Sequence, residues 1–137
     1  MENNQRAVRR AKIFWEQSQQ DIKAARAKLK GGADMECGFL CLQAAVNALS
    51  AVCFLNGHFQ LPSASAHALQ ALCRDADSRF EGLEEACQQV ESVTENNPFS
   101  GVDHSAIPAR DLLAQSGRIL DTVKAYLKDN RKRFFAP

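Results

Sequence analysis

Three histidines, two groups of arginines and five cysteines are the residues of this 137-residue chain whose types and spacing could do chemistry. His58, His67 and His104 could each move a proton near neutral pH. None stands beside a Ser or Cys in a nucleophile motif, and the chain has no HExxH and no glycine-rich phosphate loop. His104 follows Asp103, which can orient an imidazole, and so is the better functional candidate, although adjacent residues usually point apart. His67 stands at a helix start among small residues, where a histidine more often bonds a neighbouring loop than catalyses. Arg6, Arg9 and Arg10 lie at i, i+3 and i+4, which gathers guanidiniums suited to bidentate phosphate contact on one side of a helix. A solvated face is the plainer reading of the same residues. Arg131, Lys132 and Arg133 precede Phe134 and Phe135, a mixture compatible with nucleic acid.

The cysteines, at 37, 41, 53, 73 and 87, are odd in number and sit among apolar neighbours, which favours reduced, buried thiols. Cys37 and Cys41 share a helix face, but no CxxC pair or nearby His gives zinc-site spacing. No metal and no cofactor is therefore expected. An N-terminus reading MENNQRAVRRAK has no apolar signal-peptide core, so the default expectation is a cytoplasmic protein.

These residues need a scaffold, and the chain is long enough to bury one core as a single domain. Its apolar content of 45% and charged content of 24% are ordinary for a globular protein. The net charge of +1 hides an uneven layout: residues 1–30 carry +5, residues 31–103 carry −8 and residues 104–137 carry +4. Basic ends around an acidic middle could serve a phosphate-bearing ligand, or could be solvated helix faces attracting one another.

Residues 39–55, FLCLQAAVNALSAVCFL, form the most apolar stretch, without a charge. The run is at the lower limit for crossing a bilayer. Apolar stripes elsewhere would need such a helix as partner, so it reads as the central helix of a soluble domain, with no membrane partner. Val8, Ala11, Trp15, Ser18, Ile22, Ala25 and Leu29 step by three and four, predicting a helix over about 4–29 that Gly31-Gly32 ends. Asp34 is expected to cap the second helix, which stops at Asn56-Gly57. The short link predicts an antiparallel pair. Ser65 then caps a shorter helix with Leu69, Leu72, Cys73 and Ala76 on one face. Leu83, Ala86, Cys87 and Val90 form the next stripe, with Ser78 and Glu81 at capping-box spacing; these two helices could also be read as one bent helix. Residues 96–107 lack periodicity and form the longest loop, and loops of that length are often functional. Pro108 suits the first turn of a last helix with Leu112, Leu113, Ser116, Ile119, Leu120, Val123 and Leu127 on its apolar face. The fold class is all-α: an up-and-down bundle of about five helices, the first two long and antiparallel. Its core covers about residues 5–128, with a basic tail at 129–137.

Arranged in this order, the motifs resemble the HEPN family (higher eukaryotes and prokaryotes nucleotide-binding domain). Trp15 followed by Asp21-Ile22 and Ala25 is similar to its first helix. Phe39, Gln43-Ala44-Ala45, Ala48-Leu49, Ala51 and Gly57 are similar to its second, and Pro62 with His67, Leu69 and Leu72 to the segment after it. The resemblance spans about residues 10–125. The family usually has Glu and Lys after Gln-Ala-Ala and a second Lys soon after, where this chain has Val46, Asn47 and Ser50. Asn96-Asn97-Pro98 stands where Arg-Tyr-Pro is common. Ribonuclease members carry an Arg followed by His after four to six residues, and no Arg here has that partner.

The resemblance implies a homodimer that binds a nucleotide, or that works with a minimal nucleotidyltransferase in a bacterial two-component, toxin–antitoxin-like module. The leading expectation is a non-catalytic binding module for a nucleotide or nucleic acid. Its site would draw on the basic ends and the long loop, with Asn97, His104, Arg110 and Arg118 as candidate contacts. One alternative is a divergent ribonuclease using His104 or His67; another is a protein-interaction subunit with no small ligand.

Overall fold

The computed structural model describes residues 2–58, 61, 65–95 and 107–132. It contains α1 (Glu2–Lys30), α2 (Asp34–Leu55), α3 (Ala66–Ala76), a 3-10 segment (Ser78–Leu83), α4 (Glu84–Glu95) and α5 (Ala109–Asp129). No strand occurs among the described residues, and the two long helices pack against each other, as the sequence pattern predicts. Their antiparallel sense follows from three contacts that step along the pair. Lys28 Nζ meets Glu36 at 2.8 Å, Asn47 Nδ2 donates to Asp21 at 2.8 Å, and the Phe14 and Phe54 rings lie 4.9 Å apart.

α5 runs parallel to α2. The Ser116 hydroxyl donates to the Cys41 carbonyl at 2.8 Å near one end, and Asn56 Nδ2 donates to the Tyr126 hydroxyl at 3.0 Å near the other. α4 runs against α5, because Arg118 Nη2 reaches the Gly82 carbonyl at 3.2 Å while Val93 and Leu112 meet at the other end beside Gly38. α1, α2, α4 and α5 thus alternate in direction, and α3 bridges α2 to α4.

Glycine closes both long helices by the same backbone device. Ala33 N–H bonds the Lys28 carbonyl at 2.9 Å and Gly32 N–H bonds Leu29 at 3.1 Å, with Gly32 at φ +79°. His58 and Gly57 repeat the pattern on Cys53 and Phe54 at 3.1 and 3.2 Å, with Gly57 at φ +89°. A left-handed residue after the last turn lets the chain satisfy the final carbonyls, and only glycine takes that conformation without strain.

Helix starts follow the sequence less closely. Asp34 is the first helical residue of α2 rather than its cap; Ala33 holds the cap position and gives no side-chain bond. The carboxylates of Asp34 and Glu36 still face the positive end of the helix dipole. Ser65 does cap α3, accepting from Ala68 N–H at 3.3 Å. The expected Ser78–Glu81 capping box is absent. Asp77 takes that role, accepting from Arg79 N–H at 2.9 Å, and residues 78–83 wind as 3-10 helix before α4. The two expected helices are therefore separate, joined by a tight connector, and the alternative of one bent helix does not hold. Pro108 precedes α5 as its cap residue. The long loop lies outside the described residues except for Ile107, as does the tail beyond residue 132.

The core centres on α2, whose Ala44, Ala45, Ala48, Leu49, Ala51, Val52 and Cys53 are buried with Phe80, Leu69, Ile119, Val123 and Tyr126. A smaller cluster of Ala25, Cys37, Cys41, Val93, Ala109 and Leu112 fills the other end. Burying one such large side chain stabilises the fold by about 1.5–3 kcal/mol. α2 is long and apolar enough to cross a membrane by length and composition, with 67% of its most apolar window buried inside the bundle. It is not covered on every side, however. Met35 (60% exposed) and Phe39 (43% exposed) continue into half-buried Leu42 and Val46, an apolar stripe facing outward.

Candidate functional site: an arginine groove along α5

The apolar face of α5 turns Leu112, Ser116, Ile119, Leu120, Val123 and Tyr126 inward. The same helical period then puts Arg110, Ala114, Gly117, Arg118, Asp121 and Ala125 on the outer side. Small side chains at 114, 117 and 125 leave a trough along the helix. Arg26 from α1 and Arg79 from the 3-10 segment also line it, and the hollow holds about 870 Å3. From Arg110 to Ala125 it follows α5 for roughly 22 Å, at 1.5 Å rise per residue.

Of the four arginines lining this groove, Arg79 is already engaged. Its Nε lies 3.1 Å from Asp77, its Nη1 lies 3.0 Å from Asp129, and its guanidinium sits 5.7 Å from the centre of the Tyr126 ring. Burial alone would disfavour the Asp77 charge, but the backbone N–H and guanidinium of Arg79 outweigh it and hold that carboxyl below its ordinary range. The same two aspartates raise Arg79 against the cost of burial. Arg79 therefore ties the connector to the end of α5 and forms a fixed wall. Arg118 spends one N–H on the Gly82 carbonyl and keeps its remaining donors. Arg110 is within 4.0 Å of Asp111, beyond hydrogen-bonding reach, and its side chain is 81% exposed. Arg26 forms no ion pair among the described residues.

Gly117 forms the open floor: a Cβ there would meet nothing within 4 Å. Glycine inside a helix costs about 0.5–1 kcal/mol relative to alanine, and a ligand approaching the backbone would account for it. Asp121 adds one acceptor among the cations. Arginines supply forked donors for phosphate oxygens, while a carboxylate can accept from hydroxyl or amino groups. Among the described residues that line the groove, the polar groups are the four guanidiniums, Asp121 and Thr122.

The structure brings Arg110 and Arg118, both singled out in the sequence, into one groove. Asn97 and His104 lie outside the described residues. His67 is exposed at the start of α3, where its backbone N–H donates to Glu91 at 2.7 Å; the Ser65 hydroxyl bonds the same carboxylate. His58 sits elsewhere, at the end of α2, in a second hollow with Arg6, Arg9 and Arg10. Arg26, Arg79, Gly117 and Asp121 escaped the sequence reading. The helical spacing of 110, 114, 117, 118, 121 and 125 on the face opposite the apolar stripe was available as a signal, whereas Arg26 and Arg79 come from distant segments.

All five cysteines are free and buried. Burial, reinforced by Cys37, pushes the Cys41 thiol up to about 12, and burial with the Glu91 charge pushes Cys87 up to about 12. Cys73 is raised by its contact with Cys53, whose sulfur lies 3.8 Å away, and by burial. None of these three is a thiolate at neutral pH, so none is an activated nucleophile. No group of three His, Cys, Asp or Glu gathers as metal ligands among the described residues. No protein-family model, curated protein or solved structure matches this chain, so its function has to be argued from its own side chains.

Proposed function

We propose that the chain is a non-catalytic, HEPN-like binding module whose α5 groove takes a nucleotide or a short stretch of nucleic acid. The observation that carries this reading is the convergence of Arg26, Arg110 and Arg118 on one open trough with Asp121 among them. The arginines bind phosphate oxygens in forked geometry. Asp121 accepts from ribose hydroxyls or base amino groups, which a bare phosphate would not offer. Arg79, fixed by its two aspartates, shapes the wall. The trough is wide open, and its length along α5 suits a ligand with more than one phosphate.

Isothermal titration calorimetry with ATP, GTP and a short single-stranded RNA tests this. Saturable heat with one of them is expected, weakening as salt rises because each phosphate contact releases counterions. Absence of saturation with all three rejects the reading. RNA cleavage by the purified protein would instead favour the divergent-ribonuclease alternative, although His67 lines neither hollow.

Homodimerisation is part of the same proposal. Met35, Phe39, Leu42 and Val46 form an uncharged outward stripe, and a two-fold interface asks a surface only to complement itself. A minimal nucleotidyltransferase is the proposed partner protein. Its recovery with the chain, in the absence of ligand binding, would favour the interaction-subunit alternative.

A further inference from the structure

The cations of the α5 groove are strung along it rather than gathered at one point. Ala25 packs in one cluster with Ala109 and Leu112, so Arg26, the next residue of α1, lies at the Arg110 end. Arg79 stands at the opposite end, where its Nη1 lies 3.0 Å from Asp129. Arg118 falls between them, roughly 12 Å along the helix axis from Arg110. It cannot swing toward Arg110 without giving up the 3.2 Å bond from its Nη2 to the Gly82 carbonyl.

That layout separates the two kinds of ligand that a nucleotide-binding groove could take. A nucleoside triphosphate joins its phosphates through shared oxygens, so its charge sits in one place and calls for donors that converge there. A single strand spaces its phosphates at about 3.4 Å per nucleotide when stacked, so roughly 12 Å between arginines corresponds to about three nucleotide steps. Shape points the same way. Small-molecule sites bury about 70–90% of their ligand, whereas this trough is open along its length. Its floor is low at Ala114, Gly117 and Ala125, and a Cβ at Gly117 would meet nothing within 4 Å, so a second backbone can lie close to the helix. Asp121, three residues after Arg118, repels a phosphate at that step and accepts from a sugar hydroxyl or a base amino group instead.

We infer, resting on the reading of the groove as a nucleotide or nucleic-acid site, that its ligand is a single-stranded nucleic acid and not a mononucleotide. The strand lies with its backbone along α5, and the groove's length of roughly 22 Å takes about six nucleotides. Arg26 and Arg110 hold phosphate at one end and Arg118 holds it in the middle. An electropositive groove that tracks one backbone is the usual form of a single-strand site. Phosphate contacts carry no sequence information, so strands of different sequence bind alike.

Oligouridylates from dimer to octamer, UTP, ATP and a hairpin duplex RNA are the probes, each titrated into the full chain by calorimetry at several salt concentrations. Affinity should climb from dimer to hexamer and then level off, with the hexamer at least about tenfold tighter than either triphosphate. Three phosphate contacts give the hexamer a slope of log affinity against log salt near about −2. A hexamer of another sequence should bind within about threefold. Arg110→Ala should weaken the hexamer on the order of tenfold and make its salt slope shallower by about 0.7. Lys124→Ala, an exposed position on the same helix that does not line the groove, should change affinity less than about twofold. A triphosphate or a dimer that binds as tightly as the hexamer would overturn the strand and leave the groove a nucleotide site. A hairpin duplex as tight as the hexamer, or equal losses in Arg110→Ala and Lys124→Ala, would overturn it as well. Absence of binding by every probe would remove both this inference and the reading beneath it.

Discussion

Asp77 shows how one side chain can set both a boundary and a wall. Its Oδ1 accepts from Arg79 N–H at 2.9 Å and from Arg79 Nε at 3.1 Å, so the same carboxylate starts the 3-10 segment and aims Arg79 toward α5. Its carboxyl is held below the usual range in the folded chain. The stability this contributes is therefore fully present above the unfolded-state value of about 3.9 and is lost as pH falls through the lower, folded value. Asp77→Asn should unfold more easily at neutral pH, and its stability should fall less steeply between about pH 4 and pH 2, measured by urea denaturation across that range. An unchanged acid profile would show that Asp77 is not linked to folding. The buried thiols give a second residue-scale expectation. Because Cys41 and Cys87 are pushed up to about 12, native protein should react with a thiol reagent at pH 8 far more slowly than protein unfolded in guanidinium. Rapid labelling of the native state would mean that the α2 core opens readily.

Among the elements, α1 and α5 were legible because a helical stripe of apolar residues states both the helix and its inward face, whereas α2 was legible as an unbroken apolar run that states burial but not which side stays outside. The Gly31-Gly32 and Asn56-Gly57 ends were equally legible, since positive φ at Gly32 and Gly57 is a demand of the local backbone alone. The 77–84 connector was not. A Ser78–Glu81 capping box would bond the Glu81 and Ser78 N–H groups, whereas Asp77 starts the segment one residue earlier on the Arg79 N–H, and tertiary contacts decide: Phe80 is fully buried and its carbonyl accepts from Gln70 Nε2 at 2.8 Å. Tyr126 likewise stood outside the expected stripe, yet it is 1% exposed with its hydroxyl bonded by Asn56. Half of the groove could be read ahead, as Arg110 and Arg118 fall eight residues apart on one helix face. Arg26 and Arg79 could not, because only packing brings α1 and the connector beside α5. The packing that does so is close at Gly38, where a Cβ would come within 3.3 Å of both Leu112 Cδ1 and Val93 Cγ2. Gly38→Val should push α2 away from α4 and α5 and destabilise the fold by about 1–3 kcal/mol in chemical denaturation. No loss would mean that Leu112 and Val93 swing aside without cost.

The whole molecule combines an inward-facing central helix with two arginine-lined hollows and one uncharged outer stripe. The stripe bears on assembly. Phe39→Glu would set a charge amid Met35, Leu42 and Val46, so sedimentation should find the parent chain dimeric and the variant monomeric at the same concentration. A monomeric parent chain would remove the stripe from the account. The groove bears on function, and Arg110 and Arg118 are exposed enough to be replaced without disturbing the core. The most direct measurement is calorimetric titration of ATP, GTP and short RNA into the Arg110→Ala/Arg118→Ala variant beside the parent chain, with folding checked by circular dichroism. The account predicts that the parent binds at least one of these and that the variant, equally helical, binds it at least about tenfold more weakly. Equal affinity of the two proteins, or no binding by the parent chain, would contradict it.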